Sequence, residues 1–235
     1  MNKSGVVAAV VGLFALHHAS LHAQTIETQT GWAMWANSVK LNDRWGLISD
    51  MQVRSSDDWK DVRNLIIRPG ISYFLDAQNT LSAGYAFIRT YSPTAPDITE
   101  HRTWQQLVSN KKFRGNPLTH RLRLEQRFIE RVTGENVYSD RLRYFVRLQV
   151  PLGKKTGQPF THGKYLAVQN EVFLNVSGRR NLNGQLLDQN RAYLGFGQRL
   201  SAKADIEIGY LNQHINGRSR ATQNHVIQLA VFTRL

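Results

Sequence analysis

Arg121, Arg123, Glu125 and Arg127 occupy alternate positions of one segment, and Arg141, Arg143, Arg147 and Gln149 do the same in the next. A spacing of two is the side-chain period of a β-strand, so each set shares one face of a sheet. Gln169, Glu171, Arg191, Arg199 and Glu207 extend the pattern into later segments. Guanidinium groups stay charged at any physiological pH and present five donors, so two kinds of chemistry fit such a wall. Interleaved with carboxylates they form an ionic ladder that fills and stiffens a narrow interior. In excess over carboxylate they leave a field that attracts anions.

The opposite faces of the same segments are apolar: Leu122, Leu124 and Phe128, then Leu142, Tyr144, Val146, Leu148 and Val150, then Leu166, Val168, Val172 and Leu174, then Leu194, Phe196 and Leu200. The final twelve residues alternate likewise, with Ile227, Leu229, Val231 and Leu235 on one side and Gln228 and Arg234 on the other. A sheet with one charged and one apolar wall suits a closed barrel in a bilayer. Turned toward lipid, an arginine at mid-depth would cost about 2–4 kcal/mol, which assigns the charged wall to the interior. The ladder and a narrow anion-favouring passage both remain open. A wide pore does not, because about eight strands already close on a packed interior and ten to twelve leave little width once long side chains project inward.

Enzyme and metal chemistry have little to build on. There is no Gly-x-Ser-x-Gly, and His101, His120, His214 and His225 have only scattered Ser, Asn or Asp nearby. His214, close to Ser219, is the best candidate for a lipid hydrolase or acyltransferase, the alternative function. Cysteine is absent, no His-x-x-x-His occurs beyond residue 23, and Asp57-Asp58 reads as a solvated loop. Gly195-Phe-Gly197 lies in a strand, where small residues make room for bulky neighbours. No catalytic residue, metal or cofactor is expected.

The elements that carry these faces read as eleven strands, approximately 31–41, 44–55, 62–75, 79–91, 101–113, 118–131, 141–152, 164–176, 190–201, 204–215 and 224–235. Most have ten residues or more, the length of tilted membrane strands. Tight connectors at 41–44, 76–79, 114–117 and 201–204 alternate with longer polar loops at about 55–61, 92–100, 132–140, 177–189 and 216–223, as in barrels with short periplasmic turns and long external loops. The segment 153–163 breaks this alternation and reads as a plain linker, with a periplasmic docking tab as the alternative. Bacterial single-chain barrels have even strand numbers, so residues 24–30 are expected to supply a twelfth strand, or two segments are misread and ten remain.

Residues 1–23 read as a secretory signal peptide, with Lys3, an apolar stretch and Ala23 before the cut, and residues 24–235 as one barrel domain. The net charge of +13 is spread over most segments instead of one stripe, which argues against nucleic acid. Trp32, Trp35, Trp45, Tyr73, Tyr91, Tyr138 and Tyr210 fall mostly near strand ends, where rings suit a membrane boundary, although packing explains some of them equally well.

Several runs taken together, His101-Arg-Thr-Trp-Gln-Gln106, His120-Arg-Leu-Arg-Leu-Glu-Gln-Arg-Phe128, Asn190-Arg-Ala-Tyr-Leu-Gly-Phe-Gly197, Glu207-Ile-Gly-Tyr-Leu-Asn-Gln213 and Asn224-His-Val-Ile-Gln-Leu229, resemble the bacterial family known as domain of unknown function 2490. The resemblance runs from Gly31-Trp32 nearly to the end. It implies an outer-membrane β-barrel of Gram-negative bacteria, with no established activity and no catalytic residue to carry over. The expected partners are outer-membrane lipids, lipopolysaccharide and the barrel-assembly machinery. Many such barrels end in Phe or Trp, whereas this chain ends in Leu235 with Phe232 three positions earlier.

Overall fold

The alternation of apolar and polar residues resolves into eleven strands in a computed structural model, which describes residues 25–130, 134, 136–153 and 160–235. The expected signal peptide and the middle of the 153–163 segment lie outside the described residues. The strands are β1 (Ile26–Lys40), β2 (Trp45–Ser55), β3 (Val62–Phe74), β4 (Asn79–Thr90), β5 (Ile98–Phe113), β6 (Asn116–Ile129), β7 (Val137–Pro151), β8 (Gly163–Asn175), β9 (Leu187–Ser201), β10 (Ala204–Asn216) and β11 (Ala221–Arg234). Each pairs antiparallel with the next, and β1 pairs with β11 to close a barrel. Outside the strands, the only helical turns among the described residues are at Asp57–Trp59 and Arg179–Asn181.

The closing seam is parallel, running from Ile26↔Thr222 to Ser38↔Arg234. Every hairpin reverses the chain, so an odd number of strands brings the first and last together pointing the same way. Residues 26–30, expected to add a twelfth strand, are instead the beginning of β1. The seam is fastened at its end by Lys40 N–H to the Leu235 carbonyl and Leu235 N–H to the Ser38 carbonyl, both 2.8 Å. The short connectors and Leu235 lie at one rim; the long loops and the start of β1 lie at the other.

Large inward side chains need small neighbours. Trp104 on β5 is buried over Gly70 and Gly84, which face each other across β3 and β4, and a Cβ at either position would strike its ring. On the far wall Gly197 lies against the Tyr165 ring, and Gly195 and Gly209 lie against Tyr193. The Gly195-Phe-Gly197 run thus serves the space-making role expected of it.

Outward positions carry the apolar belt: Leu122, Leu124, Phe128, Leu194, Ile208 and Leu229 are all exposed. Leu148 shares this face by register, between Leu118 and Val168 on the flanking strands, yet it is only 7 % exposed.

One turn is set by a carboxylate. Asp76 accepts hydrogen bonds from the backbone N–H groups of Gln78 (2.7 Å) and Asn79 (2.8 Å) and from the Asn79 side chain (2.8 Å), an arrangement that mimics a backbone turn. These donors favour the ionised form and hold the Asp76 carboxyl below its ordinary value of 3.8, led by the Asn79 side chain. A depressed folded-state value contributes stability that is present above the ordinary value and lost as pH falls through the folded one. Asp76→Ala is therefore expected to lower the urea midpoint slightly at neutral pH. The difference from wild type should persist down to about pH 4 and shrink in stronger acid, as the pH falls through the lowered value. An equal difference at pH 7 and in strong acid would contradict the turn assignment.

Candidate functional site: the charged interior

Cross-strand register decides which inward charges meet. Glu125 on β6 stands opposite Arg141 on β7, and both are buried. Its carboxylate receives Arg141 at 2.7 Å and Arg143 at 2.5 Å, with Arg102 at 3.5 Å and Arg123 at 3.8 Å. Arg143 and Arg121 then reach Glu171 on β8 at 2.7 and 2.8 Å, and Arg141 reaches Asp188 at 3.0 Å. Glu100 holds Arg102 (2.7 Å) and Arg127 (2.6 Å), while Arg68 takes Asp50 in a two-pronged bond of 2.7 and 2.8 Å. The planar fork of arginine matches a carboxylate in this way, which lysine could not do.

A second cluster lies toward the short-turn rim. Glu207 binds Arg147 at 2.6 Å and the Tyr193 hydroxyl at 2.9 Å; Asp205 binds Arg199 at 2.9 Å and Arg234 at 2.7 Å. The Phe160 carbonyl accepts from Arg199 at 2.7 Å, and its ring meets Tyr165 edge-on at 6.1 Å. The plain-linker expectation for 153–163 therefore fails at Phe160. An aromatic ring with a charged donor beside its carbonyl has packing to gain that Gly, Pro and Lys content alone does not reveal. Residues 154–159 lie outside the described residues.

All twelve residues singled out from the sequence, Arg121, Arg123, Glu125, Arg127, Arg141, Arg143, Arg147, Gln169, Glu171, Arg191, Arg199 and Glu207, sit on the inward parity of β6 to β10. Most belong to the Glu125–Glu171 network; Arg147, Arg199 and Glu207 belong to the lower cluster, with Gln169 bonded to Arg147 at 3.0 Å. Sequence reasoning missed Asp50, Arg54, Arg68, Glu100, Arg102, Asp188 and Asp205. The period-two run Asp50, Gln52, Arg54 was a usable signal. Trp32, grouped with strand-end aromatics, is instead an inward residue: Arg54 lies over its ring at 3.7 Å. Phe173 is likewise buried inside, with Arg141, Arg143 and Arg191 within 5.1 Å of its centre.

Above the lower cluster the interior keeps a cavity of about 870 Å³. Its lining runs from Ser56, Asp57 and Lys60 at the long-loop rim, past Arg54, Arg68, Arg143 and Arg191, to Arg147, Gln169 and Phe232. Among the described residues no histidine lines it. His120 and His225 pair on the outer face with Tyr144 (2.8 Å) and Tyr210 (2.6 Å), and His101 pairs with Tyr85. The His214 ring nitrogens face the amide oxygens of Gln223 and Asn216 at 3.1 Å, not Ser219. Among the described residues no three His, Asp or Glu gather in a metal-holding group.

A closed all-β barrel, apolar outside and charged inside, defines the class of protein. The fold is similar to that of the NanC porin, with a TM-score of 0.52 over 88 % of this chain and 98 % of that one at 11 % identity. The siderophore receptor PirA of Pseudomonas aeruginosa is a remoter likeness, with a TM-score of 0.33, 14 % identity and coverage of 75 % of this chain and 32 % of that one. The chain belongs to DUF2490, a family of proteins of unknown function, whose model matches residues 29–224. An uncharacterized protein of Methylorubrum extorquens strain AM1 is 26 % identical over 188 residues, 79 % of each chain.

Proposed function

We propose that this barrel spans the bacterial outer membrane, short turns toward the periplasm and long loops outside, and offers a narrow passage to small solutes with anions favoured over cations. The observation that carries the reading is the unequal charge of an interior that still holds a cavity: more arginines than carboxylates project into it. In a narrow low-dielectric tube the uncompensated field is focused instead of screened. The apolar outer belt supports membrane insertion, since only a closed barrel satisfies every strand hydrogen bond in hydrocarbon. Outer-membrane lipids, lipopolysaccharide and the assembly machinery are the partners this placement calls for. The role is not enzymatic on this reading, because His214 faces amides instead of a nucleophile.

In planar bilayers under a salt gradient, purified barrel is expected to pass small currents whose reversal potential favours anions. Arg121→Gln removes a cavity-lining charge while Arg143 still holds Glu171, and it should shift the potential toward cations. The layer formed by Tyr193, Tyr165 and the Arg147–Glu207 pair keeps the current small, so Tyr193→Ala should raise conductance. Silence in all three proteins, or a potential favouring cations, would overturn the passage reading.

A further inference from the structure

Among the described inward arginines, most are matched to a carboxylate within 4 Å: Arg68 to Asp50, Arg102 and Arg127 to Glu100, Arg121 and Arg143 to Glu171, Arg141 to Glu125, Arg147 to Glu207, and Arg199 and Arg234 to Asp205. Arg54 and Arg191 are not. Arg54 bonds only the neutral side-chain oxygen of Gln52, at 2.6 and 3.2 Å, and Arg191 bonds that of Gln189 at 3.2 Å, with the Gln213 amide beside it.

The two unmatched groups come together. Arg54 lies 3.7 Å from the centre of the Trp32 ring, Arg191 lies 5.1 Å from it, and Arg191 also covers Phe173 at 4.6 Å. All four side chains line the cavity. Stacking on a ring occupies the face of a guanidinium and leaves its edge, where the N–H donors point, free. Two like charges held this close in a partly desolvated space are costly unless an opposite charge joins them. Glu171 stands opposite Arg191 in register but is held by Arg121 and Arg143, and at hydrogen-bond distance the protein supplies only amides here.

We propose that Arg54 and Arg191, presented by Trp32 and Phe173, form a binding point for a small oxyanion, a carboxylate or a phosphate, which takes the place that a glutamate occupies around Arg143 or Arg141. The proposal refines the anion-passage reading by giving the passage a residue-level site, but its test is a binding measurement that needs no current. Gln52, Gln189 and Gln213 orient the two guanidiniums and donate or accept at the rim of the site.

Acetate and inorganic phosphate are titrated separately into the detergent-solubilised barrel in dilute buffer, with a matched sodium chloride titration as the ionic-strength control. Tryptophan emission is the signal, and Trp32→Phe identifies the part that Trp32 contributes. The expected result is a saturable response to one or both oxyanions beyond the chloride control. Arg54→Gln and Arg191→Gln should each weaken it about ten-fold or more, the scale of one charge-assisted hydrogen bond. Gln52→Glu provides a carboxylate beside Arg54, at the loss of the Gln52 amide's hydrogen bond to Asp50 at 3.0 Å, and should abolish the response. Retained heat-modifiable migration shows that each variant is folded. A response unchanged in both arginine variants, or no response beyond chloride in wild type, overturns the site. Binding in a barrel that carries no current would overturn the passage and leave the site standing.

Discussion

Replacing Glu125 by alanine is expected to destabilise the folded barrel by about 3–5 kcal/mol, the cost of leaving buried charges without their partner. Among the described residues no other interior carboxylate answers to as many arginines. Arg141 keeps Asp188 and Arg143 keeps Glu171 after the change, but Arg123 keeps only the Gln106 amide at 2.6 and 3.0 Å. The measurement is the urea midpoint of barrel refolded into detergent or vesicles, read by heat-modifiable migration. Adding Arg123→Met should return part of the loss, because it removes the arginine left without a carboxylate. A change within about 0.5 kcal/mol, the ordinary size for a solvated surface position, would mean that the network is bathed in water and contributes little.

Trp104→Ala has the second-largest expected effect, about 3–5 kcal/mol for truncating a large buried aromatic. The ring fills the space above Gly70 and Gly84, donates its Nε1–H to the Tyr85 carbonyl at 3.1 Å, and carries the Arg123 guanidinium 4.7 Å from its centre. Its loss opens a void that neighbouring glycines cannot fill, and it uncovers an arginine already short of a close carboxylate. Trp104→Phe should recover most of the packing and none of the hydrogen bond, giving an intermediate midpoint. A loss below about 1 kcal/mol for the alanine variant would show that the wall repacks or that water fills the gap at no cost.

The strands, their faces and the alternation of short and long connectors were legible because period-two patterning is local, and Arg121 to Arg127 with Arg141 to Arg147 displays it with only Gln126 and Phe145 out of place. The closed barrel was expected, but its parallel seam was not legible, since whether β1 meets β11 in parallel depends on the total count of strands and not on any residue within β1. The pairing of charges was also hidden. Glu125 meets Arg141 through strand register, but Arg121 meets Glu171 across β7, a reach set by side-chain length and barrel curvature. Arg68 was obscured because Pro69 and Gly70 interrupt the alternation of β3, and Gly70 is there to let Trp104 in. Trp32 was misplaced because a tryptophan near a strand end resembles a boundary residue until the guanidinium over its face is seen.

The account rests on which wall faces water and which faces hydrocarbon, and the absence of cysteine makes that directly measurable. Single substitutions Gln169→Cys, on the cavity wall, and Leu122→Cys and Leu229→Cys, on the exposed apolar face, are introduced into barrel reconstituted in vesicles. Each is exposed to a membrane-impermeant thiol reagent and, separately, to lipid-attached fluorescence quenchers after labelling. Labelling from water at 169 with no lipid quenching, together with quenching by lipid at 122 and 229, is the predicted result. Water labelling at 122 and 229 with lipid quenching at 169 would reverse the walls and contradict the charged interior outright.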